Sequence, residues 1–209
     1  SVSGTIIGYD PGGNNKHGLA KLIVKNGKAR SISTHTLKTA ENIIAFAKQI
    51  PDVIGLGVDT LTCWGTGKSG WRPADRWLQE QYAPVQKSVI NPNYLSGAMT
   101  LNGMAFLISL RTVTPETFVT ETHPKVLFWR LVGKKYNYAL QKVLMNSKLT
   151  ELLGITVAAT NEHEWDAALS AFATLEGLTK RWGRDLHLLP LKDEHLISPS
   201  GITHFCWPD

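Results

Sequence analysis

Four carboxylic acids stand out because they end or interrupt apolar segments, where an unpaired charge is costly to bury. Three of them end predicted strands and the fourth lies in a predicted helix: Asp10, Asp59, Glu121 and Asp166. If those strands are neighbours in one sheet, the carboxylates converge, and cations or protons must offset their repulsion. Mg²⁺ or Mn²⁺ with oxygen ligands would do so and leave room for phosphate oxygens. The pattern is typical of a metal-dependent phosphodiester hydrolase.

A simpler reading of the same acids is that they are unrelated caps and surface charges. Asp10 precedes Pro11 and Gly12, and an aspartate in that position often caps a turn. The sequence leaves both interpretations open. The metal-site interpretation requires the elements that carry the acids to be neighbours in the fold, whereas the simpler one does not.

The elements that would position the acids begin with a predicted hairpin in Thr5–Gly27, whose turn at 11–15 is rich in Gly and Asn. A third strand is predicted at 29–37, which makes an antiparallel meander. Thr39 precedes a helical pattern that Pro51 ends. The apolar run 53–60 then reads as a strand covered on both faces, and the helical crossover before it favours a parallel return.

The remaining elements are less regular. In chain order we predict helices over 72–82 and 102–111, a strand over 117–122, helices from 126 and over 140–153, and a last helix from about 162. The segment 61–92 is rich in Gly and Trp, and its long loop is expected to be functional. The whole arrangement predicts one domain over 1–209, with a loop and helix insertion around 61–115.

Composition sets broad limits. The chain has 209 residues, 43% of them hydrophobic, and a formal net charge of +5, which permits a polyanionic partner without requiring one. Cys63 and Cys206 form neither a disulfide framework nor a zinc motif, so we expect a reducing, cytoplasmic location. We expect no signal peptide, and no apolar run approaches the ~18 residues of a membrane span.

Strand–strand–strand–helix–strand–helix–strand with a closing acidic helix is the ribonuclease H arrangement. The predicted class is therefore α/β, ribonuclease H-like, with a mixed five-stranded sheet and helices on both faces. GYDPGGNNKHGLA also resembles the opening of RuvC-type junction resolvases. Most of the chain resembles a family of predicted nucleases of that fold, domain-of-unknown-function family 429, through GYD at 8–10, GVDT at 57–60, RPADRWL at 72–78, TETHP at 120–124, EWDAALSAF at 164–172 and LISPSGITHFCWP at the end.

The resemblance implies a metal-dependent nuclease in which Asp10, Asp59, Glu121 and Asp166 bind the ions. In two respects the chain leaves a question open. No proline follows Asp59 closely, where the family usually has one, and the role of Glu162 in the closing helix is undefined.

Basic and aromatic residues near these motifs are candidates for substrate contacts. Arg72 and Arg76 share a helix face with Asp75, so they either bind phosphate or form a surface ion-pair ladder. Lys16 lies in the turn after Asp10 and is a further candidate. Trp64, Trp71 and Trp77 either stack on bases or fill the core beneath the loop.

Histidines could supply proton transfer. His123 follows Glu121 and reads either as a general base or acid, or as a turn residue bonded to backbone. His17 and His163 are close in sequence to Asp10 and Asp166 and could serve in the same way. GTGKSG at 65–70 lacks the register of a phosphate-binding loop and is rejected as one.

Three functions are known to use a ribonuclease H-like unit or could be built on one. A nuclease acting on DNA or RNA is the leading one. An actin-like ATPase needs two copies of the unit, and 209 residues without a repeat are too few. A non-catalytic nucleic-acid-binding or scaffold protein of the same fold is the alternative, and it gives no reason for the acids to be concentrated. The oligomeric state is open, and a dimer is possible.

Overall fold

The structure is a computed structural model that describes residues 1–12, 15–92, 97–192 and 194–209. Two positions of the predicted turn at 11–15 and four of the predicted insertion, 13–14 and 93–96, thus lie outside the described residues. None of the described helices is long and apolar enough to cross a membrane.

The order of elements follows the predicted pattern closely. In chain order they are β1 (Gly4–Asp10), β2 (His17–Lys25), β3 (Lys28–Leu37), α1 (Ala40–Lys48), β4 (Val53–Val58), β5 (Trp64–Gly65), α2 (Pro73–Gln81), α3 (Gly97–Arg111), β6 (Phe118–Glu121), α4 (Pro124–Val132), α5 (Tyr138–Leu153), α6 (Glu162–Leu178), β7 (Arg184–Asp185), β8 (Leu196–Ile197) and β9 (Cys206–Trp207). A short 3₁₀ helix spans Ala83–Ser88.

The main sheet has five strands in the order β3-β2-β1-β4-β6. The first three form an antiparallel meander, and β4 and β6 then add in parallel. The predicted mixed sheet, its meander and its parallel return are therefore confirmed. Because β1, β4 and β6 run the same way, Asp10 and Glu121 end two strands at the same edge, and Asp59 directly follows the strand between them.

Alternation along the strands divides the core between the two faces of the sheet. Ile6 faces one side, where it packs in a cluster with residues of α4, α5 and α6. Ile7 faces the other side and packs with residues of α1 and α3. Helices therefore cover both faces, as the sequence predicts.

α6 crosses the sheet with its backbone unusually near the strands. A Cβ atom added at Gly8 would lie 1.8 Å from the carbonyl oxygen of Ala167, and one at Gly57 would lie 2.2 Å from that of Ser170. Small residues on both sides of the contact make this approach possible. It brings the first turns of α6 against the end of β1. Asn161 caps the helix by accepting a hydrogen bond from the backbone N–H of Glu164.

The chain after α6 returns to the free side of β6. The N–H of Glu121 donates to the carbonyl of His204, and the N–H of His204 donates to that of Val119. Two-residue pairings of β5 with β8 and of β7 with β9 anchor this return. Local patterns did not predict these short pairings, because two-residue strands carry no periodicity.

Candidate metal centre

Three carboxylates meet at the edge of the sheet where β1 and β4 end. Asp10 is the last residue of β1, Asp59 follows β4, and Asp166 lies in the second turn of α6. Each offers an oxygen atom, and the three atoms lie within 4.8 Å of one another. The N–H of Asp59 donates to the carbonyl of Tyr9, which holds the two strand ends in register.

The electrostatics of this cluster favour a bound cation or proton. Burial is the main cause that raises the pKa of Asp10, Asp59 and Asp166. The charge of Asp10 raises the pKa of Asp59 and of Asp166 further. Glu162 lies near enough for its charge to raise all three. Three charges held this close in a poorly solvated place repel one another, and a cation relieves that repulsion.

Two neighbouring side chains orient the cluster. Nδ1 of His163 lies 2.8 Å from Oδ2 of Asp10, and this hydrogen bond raises the pKa of His163. The hydroxyl of Tyr136 donates to Oδ1 of Asp166 at 2.8 Å. The i, i+3 spacing of His163 and Asp166 places both on one side of α6 and is a sequence signal for His163. No sequence signal pointed to Tyr136.

Glu121 ends the neighbouring strand but belongs to a different cluster, with Cys63 and His187. Its carboxylate accepts hydrogen bonds from Arg72 at 2.6 and 2.9 Å and from the N–H and hydroxyl of Thr62 at 3.0 Å each. Burial alone would raise its pKa, but the Arg72 guanidinium holds it well below its usual range. The carboxylate of Glu121 is thus bonded to protein groups. This position differs from the expectation that Glu121 is a metal ligand.

Arg72 is almost fully buried, with 1% of its surface exposed. All three of its side-chain nitrogens have acceptors, namely both oxygens of Asp75, both oxygens of Glu121 and the carbonyl of Cys63. Asp75 orients Arg72 through hydrogen bonds to two of these nitrogens. The expected contact between Arg72 and substrate phosphate does not fit this position, because each guanidinium nitrogen already has a protein acceptor.

The remaining basic candidates are exposed. Arg76 donates to the hydroxyl of Ser69 and lines a surface cavity with Lys192. Lys16 is exposed close to His163, since its charge lowers the pKa of that imidazole. Sequence reasoning missed Lys125, which is exposed at the start of α4. Its positive charge partly offsets the rise in the pKa of Asp59.

The other histidines are held by protein groups. Nε2 of His123 lies 2.9 Å from the carbonyl of Ser88, and burial lowers the pKa of this histidine. Its buried Nδ1 has no hydrogen-bond partner among the described residues, so both readings of His123, as a turn residue and as a proton-transfer group, remain predictions. Nδ1 of His17 lies 2.8 Å from the hydroxyl of Tyr9, and burial lowers its pKa as well.

The tryptophans of the 61–92 segment mostly fill space. Trp71 and Trp77 pack against the core, and Trp77 lies beneath the guanidinium of Arg184 at 5.1 Å. Trp64 is the more exposed of the three, at 37%. The core-filling alternative therefore describes Trp71 and Trp77.

Strand order, helix placement and acids at the strand ends together define an α/β protein of the ribonuclease H-like class. Among solved structures, the chain is similar to RuvC of Thermus thermophilus in complex with a Holliday junction substrate, with a TM-score of 0.50, 17% identity, and coverage of 85% of this chain and 95% of that one. A second Thermus thermophilus RuvC structure has a TM-score of 0.49 at 15% identity, covering 84% of this chain and 96% of that one.

No family model and no curated protein matches the chain. The similarity to RuvC at this identity is a similarity of fold. Membership of domain-of-unknown-function family 429 stays a prediction, and so does the extent of the single domain with its insertion.

Proposed function

We propose that this protein is a divalent-metal-dependent nuclease, and the observation that carries the proposal is the cluster of Asp10, Asp59 and Asp166. Hard oxygen ligands in a buried, mutually repelling group suit Mg²⁺ or Mn²⁺. Carboxylate oxygens are the ligands that suit both of these ions, and His163 contacts one of them, on Asp10. A bound ion would supply charge neutralisation and activation of a water for attack on phosphorus.

The roles of this chain's own residues follow from their contacts. Asp10, Asp59 and Asp166 hold the ion, and Tyr136 orients Asp166. Nδ1 of His163 is placed to hold or pass a proton at the edge of the cluster. Glu121 is not retained as a ligand in this proposal. Through Thr62 and Arg72 it instead braces the segment that follows Asp59.

A nucleic acid is the proposed partner. Lys16 and Lys125 are exposed cations beside the carboxylates, and such residues attract the phosphate backbone. One neighbour of similar fold was solved with a Holliday junction, which is a property of that protein and makes branched DNA a sensible substrate to try. DNA and RNA are equally compatible with the site.

The proposal is tested by metal binding and cleavage together. The thermal midpoint is measured with and without Mn²⁺ for the wild type and for Asp10→Asn, with Asp52→Asn as control. Asp52 is exposed, and its left-handed backbone suits Asn. Cleavage is measured on labelled single strands, duplexes and four-way junctions of DNA and RNA.

We expect Mn²⁺ to raise the midpoint of the wild type and of Asp52→Asn but not of Asp10→Asn, and cleavage to follow the same order. Metal binding without cleavage of any substrate would favour the non-catalytic alternative. An Asp10→Asn variant that keeps both the Mn²⁺ shift and cleavage would overturn the proposed site.

A further inference from the structure

A cavity of about 250 Å³ opens beside the carboxylate cluster and shares Asp59 and Asp166 with it. Pockets for drug-sized ligands run to roughly 300–1,000 Å³, so this cavity suits one ring system rather than a larger molecule. One end is acidic, and the exposed Lys125 lies near it. The cavity therefore has one charged end, beside the carboxylates, and a floor and walls formed by other residues.

Several polar groups in the floor of the cavity already have hydrogen-bond partners in the protein. Arg72 and Asp75 bond to each other, and Arg72 also bonds to Glu121. Nε2 of His123 is bonded to the carbonyl of Ser88. Arg72 and Asp75 thus have protein partners, whereas the buried Nδ1 of His123, which also lines the cavity, has no hydrogen-bond partner among the described residues and remains available to a ligand.

The walls of the cavity are largely apolar and are held in place. Leu61, Val89, Ile90 and Met99 line them. Gln79 donates to the carbonyl of Val89, and Thr60 donates to that of Met99. Ile90 is 50% exposed and is thus a large apolar side chain that faces solvent at the edge of this cavity. A preformed cavity with apolar walls and an exposed isoleucine is suited to bind a ligand through a flat, apolar ring face.

The geometry points to a nucleobase site: we infer that this cavity takes the base of the nucleotide whose phosphate lies at the carboxylates. The inference rests on the proposed function and adds its substrate class. The carboxylates at the acidic end would hold an ion that neutralises the phosphate, and the apolar walls contact the face of the base. The unpartnered Nδ1 of His123 is placed in the same cavity to hydrogen-bond the edge of the base.

A base inside this cavity cannot be paired with a partner strand. A duplex would have to release the nucleotide from its stack first, at a cost in free energy. The preferred substrate is therefore nucleic acid with an unpaired nucleotide at the cleaved phosphate, whether in a single strand, a gap or a branch.

The test uses 2-aminopurine deoxynucleoside 5′-monophosphate, a fluorescent probe that has no phosphodiester to cleave. Its fluorescence is titrated with the 209-residue chain in Mg²⁺ and in EDTA. We expect saturable quenching by the wild type, and for Ile90→Ser a dissociation constant raised about tenfold, the order of effect of losing one base contact. Ile202→Ser is the matched control, because Ile202 is 79% exposed and does not line this cavity.

Competition and cleavage complete the test. Deoxyribose 5-phosphate, which lacks a base, should displace the probe far less well than ordinary deoxynucleotides do. Equal competition, or equal probe affinity of the two variants and the wild type, would overturn the base site. Quenching that depends on Ile90 and persists without Mg²⁺ binding or cleavage would keep the base site and overturn the nuclease. Duplexes cleaved as readily as single strands would overturn the inferred substrate class.

Discussion

Nδ1 of His163 lies 2.8 Å from Oδ2 of Asp10, although 153 positions separate the two residues. His163 is in the first turn of α6 and Asp10 ends β1, so the contact ties the helix to the strand end. Asp166 follows His163 by three residues and is carried to the same place. The packing of α6 against the end of β1 that produces this contact also brings Asp166 close to Asp10 and Asp59.

Replacing Asp59 with Asn should stabilise the metal-free protein at neutral pH. Asp59 has a raised pKa in the folded state, so the stability linked to it is complete below its unfolded pKa and is lost as pH rises through the folded one. Removing the charge recovers that stability, and each kcal/mol raises the thermal midpoint by about 2–4 °C in a chain of this size. Calorimetry in EDTA measures it.

The gain from Asp59→Asn should shrink as pH falls, because the wild-type carboxylate then becomes protonated. Asp52→Asn is again the control and should change little at any pH. A lower midpoint for Asp59→Asn at neutral pH would contradict the repulsion inferred within the cluster.

Tyr136→Phe should weaken Mn²⁺ binding about tenfold, the range seen when a group that orients a metal ligand is removed. The hydroxyl of Tyr136 donates to one oxygen of Asp166 and leaves the other free. Isothermal titration with Mn²⁺ measures the affinity. Tyr138→Phe is the control, because its hydroxyl donates to the carbonyl of Ala159 instead. Equal Mn²⁺ affinities for both variants would show that Tyr136 does not orient the site.

Arg72→Met should destabilise the protein by about 3–5 kcal/mol, because it leaves the buried carboxylates of Asp75 and Glu121 without their cation. Urea denaturation gives the free energy of unfolding. Arg76→Met removes an exposed guanidinium from the same helix and should change stability by less than about 1 kcal/mol. A small effect of Arg72→Met would mean that the buried carboxylates are neutralised in another way.

The contribution of His187 to the free energy of unfolding should change with pH above the ordinary pKa of a histidine. Burial opposes its charge, but contacts with Cys63 and Glu121 raise the pKa of His187 to about 10. The stability that its charge adds is therefore complete below the ordinary value of 6.5 and is lost as pH rises through about 10.

The measurement is urea denaturation of the wild type and His187→Asn over that pH window. The difference in unfolding free energy between them should narrow steadily as pH rises. His195→Asn, at an exposed histidine, controls for the loss of an imidazole. A difference that stays constant or widens would show that His187 is neutral in the folded protein.

Much of the fold could be predicted because the signals are local. The apolar runs of β1 and β2, the cap at Thr39 and the small residues of α6 each depend on neighbours a few positions away. The parallel return of β4 followed from a single rule about crossovers. These patterns were also sufficient to predict that Asp10, Asp59 and Glu121 lie at strand ends on one edge.

The division of those acids between two clusters could not be read from the chain. Asp59 and Glu121 look alike in sequence, since both stand at the ends of apolar strands. Whether such an acid is free to bind a cation depends on which side chain reaches it, and Arg72 comes to Glu121 from 49 positions away. Packing of α6 at Gly8 and Gly57 brings His163 and Asp166 to Asp10 in the same way. Local pattern therefore specifies the strand ends, whereas long-range packing specifies which carboxylates are neutralised by a buried guanidinium, because ion pairing is a property of distance in space.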